Sequence, residues 1–114
     1  MRLKSEIWVH AFLRRTFVQG SFGAVLRKGA AEAGAIYVVI NRLDGTVKML
    51  GPPPGSAIDE RGERLWTEVI PPVTAAAEVV PFIEKLAKFD PDIWVVEIED
   101  RSGTAGLMVL PPDR

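Results

Sequence analysis

Cysteine is absent from the 114-residue chain, and histidine occurs once, as His10. The first absence removes cysteine nucleophiles, iron–sulfur ligation and thiolate zinc sites together, and it fits a cytoplasmic setting. The second leaves multi-histidine metal sites unsupported. Any Ser–His–acid triad would have to use His10, and no serine stands in a nucleophile-elbow sequence. Long apolar runs are also missing: none approaches the roughly 20 residues that cross a bilayer as a helix, so neither a transmembrane segment nor a membrane partner is expected. The basic start is not followed by a secretory apolar region, because His10, Arg14 and Arg15 interrupt it. No GxGxxG occurs, and GPPPGSA over residues 51–57 lacks the lysine and spacing of a phosphate loop. Gly20-Ser21-Phe22-Gly23 is a GxxG that would join helix to strand, so it reads as a chain reversal and not as an RNA clamp.

What is present suits one compact domain. The apolar set supplies 47% of residues and charged residues 25%, enough for a single core without metal or disulfide staples. The net charge of −1 hides an asymmetry: residues 1–50 hold eight Lys and Arg against three acids, and residues 51–114 hold six against twelve. Opposite halves of one small domain usually neutralise each other, but a basic first half also leaves room for a nucleic-acid face.

Residues 5–19 have helical periodicity, with Ser5 placed to cap free amides, Glu6 at the positive end and Gly20 at the left-handed position past the helix, and helix is preferred over a strand across 6–13, where Ile7, Val9, Ala11 and Leu13 also alternate. Glu6, His10 and Arg14 form one polar stripe. Apolar residues fill most of the remaining circumference, a wider arc than one sheet contact covers. Strands are expected over 22–28 and 35–43, then over 46–50 after a two-residue turn at Asp44-Gly45. That turn would pair Leu43 with Thr46 and put Ile36, Val38, Ile40, Val47 and Met49 on one face. Residues 51–64 read as a long surface loop, because three prolines cannot donate to a ladder and charges follow. A strand over 65–70 carries Trp66. A second helix starts near Glu78, with Val79, Phe82, Ile83, Leu86 and Phe89 along its apolar side. The strand over 93–99 is apolar on both sides, Trp94, Val96 and Ile98 on one and Ile93 and Val95 on the other, which places it inside the sheet. Residues 107–110 form a further strand or lie against a partner.

The segments MRLKSEIWV, INRLDG, GPPP and above all FDPDIWVVEIEDR carry a resemblance in this order. Over residues 1–101 the chain resembles the alphaproteobacterial family catalogued as domain of unknown function 1491, with the tail from Ser102 outside it. The resemblance implies membership and brings no activity, cofactor or catalytic residue to carry over.

Other chemistry is thin. No Glu-x-Lys or Asp-x-Lys of the kind used in metal-dependent nuclease cores is present. Asp90, Asp92, Glu97 and Glu99 sit toward opposite ends of one strand, too far apart for one ion, so they read as strand terminators and solvated positions. Arg2, Lys4, Arg14, Arg15, Arg27, Lys28, Arg42 and Lys48, with Tyr37 and the tryptophans, would be needed for a nucleic-acid face, but each Trp lies in an apolar periodic segment.

These observations predict an α+β fold: one two-layer domain over 1–101, order αββββαβ, a mainly antiparallel five-stranded sheet with both helices on one face, and a tail over 102–114. The expected function is a small non-catalytic binding or assembly protein that uses no metal and no cofactor. The alternatives are a nucleic-acid-binding factor using the basic half and a carboxylate-based enzyme. The wide apolar arc of the first helix predicts a homodimer, with Trp8, Phe12, Arg14 and Arg15 as the candidate interaction surface.

Overall fold

The computed structural model describes residues 3–55, 58–103 and 105–111. Arg2 of the basic set lies outside them. Helix α1, Ser5–Val18, begins without a side-chain cap. Its first free amides are satisfied from far along the chain: Ser5 N–H donates to Glu32 O (3.1 Å) and Glu6 N–H to Ala31 O (2.9 Å). Ser5 is therefore a buried first-turn residue whose hydroxyl donates to Gly34 O, and the expected Ser5 cap is replaced by backbone carbonyls. Gly20 ends the helix at φ +85°, as its position suggests.

The strands are β1 (Gly23–Arg27), β2 (Ile36–Asn41), β3 (Thr46–Gly51), β4 (Thr67–Glu68), β5 (Thr74–Ala75) and β6 (Trp94–Glu99), with α2 (Val79–Phe89) between β5 and β6. The protein is an α+β domain. Its mixed sheet runs β1-β6-β2-β3-β4, with β5 also paired to β3. Strand β6 lies between β1 and β2, antiparallel to the first and parallel to the second, which agrees with its two apolar sides. The β5 pairing makes six strands where five are expected.

Two expectations are corrected. The helices lie on opposite faces, giving three layers. Val9 and Phe12 of α1 pack with Ile36, Val38, Ile40, Trp94, Val96 and Ile98. Val79 and the inner side of α2 pack with Val39, Met49, Ile93 and Val95 on the other face. A sheet whose central strands are apolar on both sides needs a cover on each, so one helix layer is not enough.

The second correction concerns the hairpin, whose loop has three residues. Arg42 N–H donates to Thr46 O (3.1 Å), and Leu43 (φ +64°) and Gly45 (φ +88°) take the left-handed conformations. Asn41 Oδ1 accepts from Leu43 N–H, and Asp44 Oδ1 accepts from both Thr46 N–H and its hydroxyl. Val38 is thereby paired with Leu50 and Val39 with Met49. The one-residue change turns Val47 and Met49 away from Ile36, Val38 and Ile40. On α2, Phe89 is 88% exposed instead of buried, at the rim of the apolar stripe in the last turn.

Residues 107–110 pack on their own chain. Trp66 N–H donates to Met108 O (3.1 Å), Leu110 N–H donates to Trp66 O (2.8 Å), and Leu107 lies against the α1-side core.

Candidate functional site

The segment read as a solvated loop contains a tight hairpin. Ile58 bridges to Arg64, and Asp59 Oδ1 accepts from Arg61 N–H (2.8 Å) and Glu63 N–H (2.9 Å), while Gly62 adopts φ +84°. An aspartate accepting from the amides two and four residues on is a local turn device, and it fixes the direction in which Arg61 and Arg64 leave the backbone.

Between this hairpin and α1 lies a cleft of about 380 Å³. Its floor is aromatic: Trp8 and Phe12 stack at 4.8 Å with 14° between their planes, and Trp66 lies tilted against Trp8 at 5.2 Å. Successive turns of α1 place Trp8, Phe12 and Arg15 on one flank. The Arg15 guanidinium sits over Phe12 (5.6 Å) and that of Arg64 over Trp8 (5.8 Å), where the ring quadrupoles attract cations. Arg64 also donates to Leu3 O (3.0 Å), tying the hairpin to the chain just before α1. The lining carries Arg15, Arg61 and Arg64 against one acid, Glu63. Among the described residues, neither Arg15 nor Arg61 has an ion-pair partner. Two neighbouring clefts flank the same stretch of chain. One of about 100 Å³ lies beside Pro52 and Trp66, and one of about 620 Å³ lies on the acidic side of the hairpin at Asp59, Glu60 and Glu63.

Three of the four candidate surface residues, Trp8, Phe12 and Arg15, meet in the first cleft. Phe12 is only 3% exposed and offers no more than an edge, and Arg14 projects from the opposite, exposed side of α1. Arg61 and Arg64 escape a reading of residues 51–64 as open loop. The signal that could have found them is the Asp59-x-x-Gly62 turn set symmetrically between Ile58 and Glu63.

The other candidates do not gather. Trp66 and Trp94 are buried, and the Trp94 indole N–H is spent on Ala30 O (2.7 Å). Arg42 and Lys48 lie beside Gly103, apart from the helix cations. Asp90 accepts from Asp92 N–H, Asp100 accepts from Ser102 and Ala105, and Glu97 accepts from Asn41 Nδ2. These are turn and strand-end roles. Among the described residues, no three His, Asp or Glu side chains come together as metal ligands would.

The family described as Protein of unknown function (DUF1491) matches residues 3–108, a span that takes in part of the tail expected to fall outside it. A crystal structure of a family member from Caulobacter crescentus is similar, with 38% identity over 97% of this chain and 100% of that one, and a TM-score of 0.79. A solution structure of a protein from A. tumefaciens is similar too, with 42% identity over 99% and 100% of the two chains and a TM-score of 0.78. No curated protein matches the chain. The matched span and the likeness of these structures place the protein in the DUF1491 family.

Proposed function

We propose that the protein is a non-catalytic binding protein whose cleft between α1 and the 58–64 hairpin captures an anionic group carried on an apolar body. The observation that carries this reading is the convergence of Arg15, Arg61 and Arg64 around the Trp8–Phe12 floor, with two of the three cations lacking a carboxylate partner among the described residues. Guanidinium groups bind carboxylate or phosphate oxygens through pairs of N–H donors, and an apolar floor supports the rest of the ligand. The enzyme reading has less support, since the acids near β6 cap turns or pair locally. The nucleic-acid reading lacks the stacking platform that Trp66 and Trp94 would have supplied. The lack of cysteine supports a cytoplasmic setting for this role.

Titration with phenyl phosphate tests the reading, followed by tryptophan fluorescence and amide NMR shifts. Saturable shifts at Trp8, Ala11 and Gly62 are expected, and Arg61→Ala should weaken binding about tenfold, the loss of one charge-assisted hydrogen bond. Shifts that never saturate, or an affinity unchanged in Arg61→Ala, would refute it.

A further inference from the structure

The one acid of the cationic cleft stands beside a cation that it does not neutralise. Asp59 Oδ1 accepts from the amides of Arg61 (2.8 Å) and Glu63 (2.9 Å), so a single carboxylate oxygen gathers both backbones and the two side chains leave the turn as neighbours. Both residues line the cleft floored by Trp8 and Phe12, and both also line the larger cleft on the acidic side of the hairpin. Both are exposed. Their charges are opposite, yet among the described residues neither forms an ion pair, with the other or with a third group. The cleft therefore offers an uncompensated cation and an uncompensated anion side by side, above an aromatic floor.

A ligand bearing an anion alone would satisfy Arg15 and Arg61 and leave the Glu63 carboxylate repelling it. A ligand bearing a cation alone would meet three guanidinium groups. Only a ligand with both charges answers every charged side chain that lines the cleft. Resting on the reading of this cleft as an anion site, we propose that its ligand is an α-amino acid with an apolar side chain. Arg15 and Arg61 donate to its carboxylate, its ammonium donates to Glu63, and its side chain lies against Trp8. The two ligand charges must be close together, because Arg61 and Glu63 spring from amides that share one acceptor. An α-amino acid carries both on one carbon. A peptide end fits less well, since a C-terminal residue brings the carboxylate without the ammonium and an N-terminal residue the reverse. The cleft volume of about 380 Å³ lies near the lower end of small-molecule pockets, which run from about 300 to 1,000 Å³, and suits one such molecule.

Amide NMR titrations with L-phenylalanine, 3-phenylpropionate and N-acetylphenylalanine test the proposal, alongside phenyl phosphate. The second compound is the first without its ammonium, and the third mimics a peptide C-terminus. Phenylalanine should bind about tenfold more tightly than either, the worth of one charge-assisted hydrogen bond. Glu63→Gln keeps the amide from which Asp59 accepts, and it should abolish that advantage while leaving 3-phenylpropionate bound at least as tightly as before. If phenyl phosphate or 3-phenylpropionate binds but phenylalanine binds no more tightly than 3-phenylpropionate, the amino-acid proposal falls and the anion site stands. If none of the four compounds binds, both fall. The proposal is also overturned if the advantage of phenylalanine survives in Glu63→Gln, or if N-acetylphenylalanine binds as tightly as phenylalanine.

Discussion

Replacing Gly34 by alanine should be among the most damaging single-methyl changes available to this protein. Gly34 is buried in the loop between β1 and β2, and a Cβ built there overlaps the Asp92 carbonyl oxygen and comes within 3.0 Å of both Ala30 N and Ala30 O. All three obstacles are backbone atoms, so no side chain can swing aside and the loop itself must move. Three hydrogen bonds depend on its position: Ala30 N–H to Asp92 O (3.0 Å), Trp94 indole N–H to Ala30 O (2.7 Å) and the Ser5 hydroxyl to Gly34 O. Overpacking costs about 1–3 kcal/mol, and loss of two of those bonds adds about 2 kcal/mol, for a total of about 3–5 kcal/mol. At about 4 °C per kcal/mol for a domain of this size, the melting midpoint should fall by about 12–20 °C. Gly20→Ala is the control. Its φ of +85° is unfavourable for alanine, but nothing lies within 4 Å of the added atom, so only the conformational cost of about 1–2 kcal/mol applies. Thermal unfolding followed by circular dichroism compares the two. A Gly34→Ala protein that melts no lower than Gly20→Ala would refute the close packing of this loop against Asp92.

Gly45→Val should destabilise the domain by about 1–3 kcal/mol in urea unfolding, because a β-branched residue is strained at φ +88°. Thr46 holds the Asp44 carboxyl below the usual range by donating to it from both hydroxyl and amide, so its contribution to stability is present above the ordinary aspartate pKa and is lost as pH falls through the lowered value. Asp44→Asn should therefore flatten the acid limb of the stability–pH curve, and an unchanged acid limb refutes the assignment. Burial, with Asp90 nearby, pushes the Tyr37 hydroxyl up from 10.0. The folded state thus resists its ionisation, and stability should decline as pH rises above 10.0, a decline that Tyr37→Phe removes. Ending the chain before Leu107 removes two backbone hydrogen bonds to Trp66 and the packing of Leu107 on the core, and should shift tryptophan emission to the red and lower the urea midpoint.

The elements legible in the sequence are those whose apolar pattern is long enough to have one solution. Six consecutive β6 positions alternate cleanly, and Trp94, Val96 and Ile98 do face α1 while Ile93 and Val95 face α2. The same fact, applied to β2, already implied two covered faces, because Val39 needs burial as much as Val38 and Ile40 do. One helix layer could not satisfy both. The hairpin was harder. Asp44-Gly45 announces a turn, but the turn's length rests on Leu43 entering a left-handed conformation, and that depends on Asn41 accepting its amide. Propensity alone does not foresee a leucine there. The missing side-chain cap on α1 has a similar origin, since the carbonyls that satisfy Ser5 and Glu6 come from Glu32 and Ala31, far along the chain.

The cleft shows why half of a site can be read from one helix and half cannot. Trp8, Phe12 and Arg15 follow one another at spacings of four and three on α1, so any helical reading sets them on a common flank. Their partners come from a hairpin whose only large apolar anchor is Ile58, and charge-rich segments with little to bury ordinarily stay in solvent. Here two local devices substitute for burial. Asp59 folds the turn with its carboxylate, and Arg64 then reaches back over Trp8 and donates to Leu3 O. The hairpin is therefore held to α1 by cation–π and hydrogen-bond contacts at exposed or half-exposed positions, which are individually weak. A ligand that engages Arg61 and Arg64 together would in turn stiffen the hairpin, so its binding should slow amide hydrogen exchange at Gly62 and Glu63 more than anywhere in the sheet.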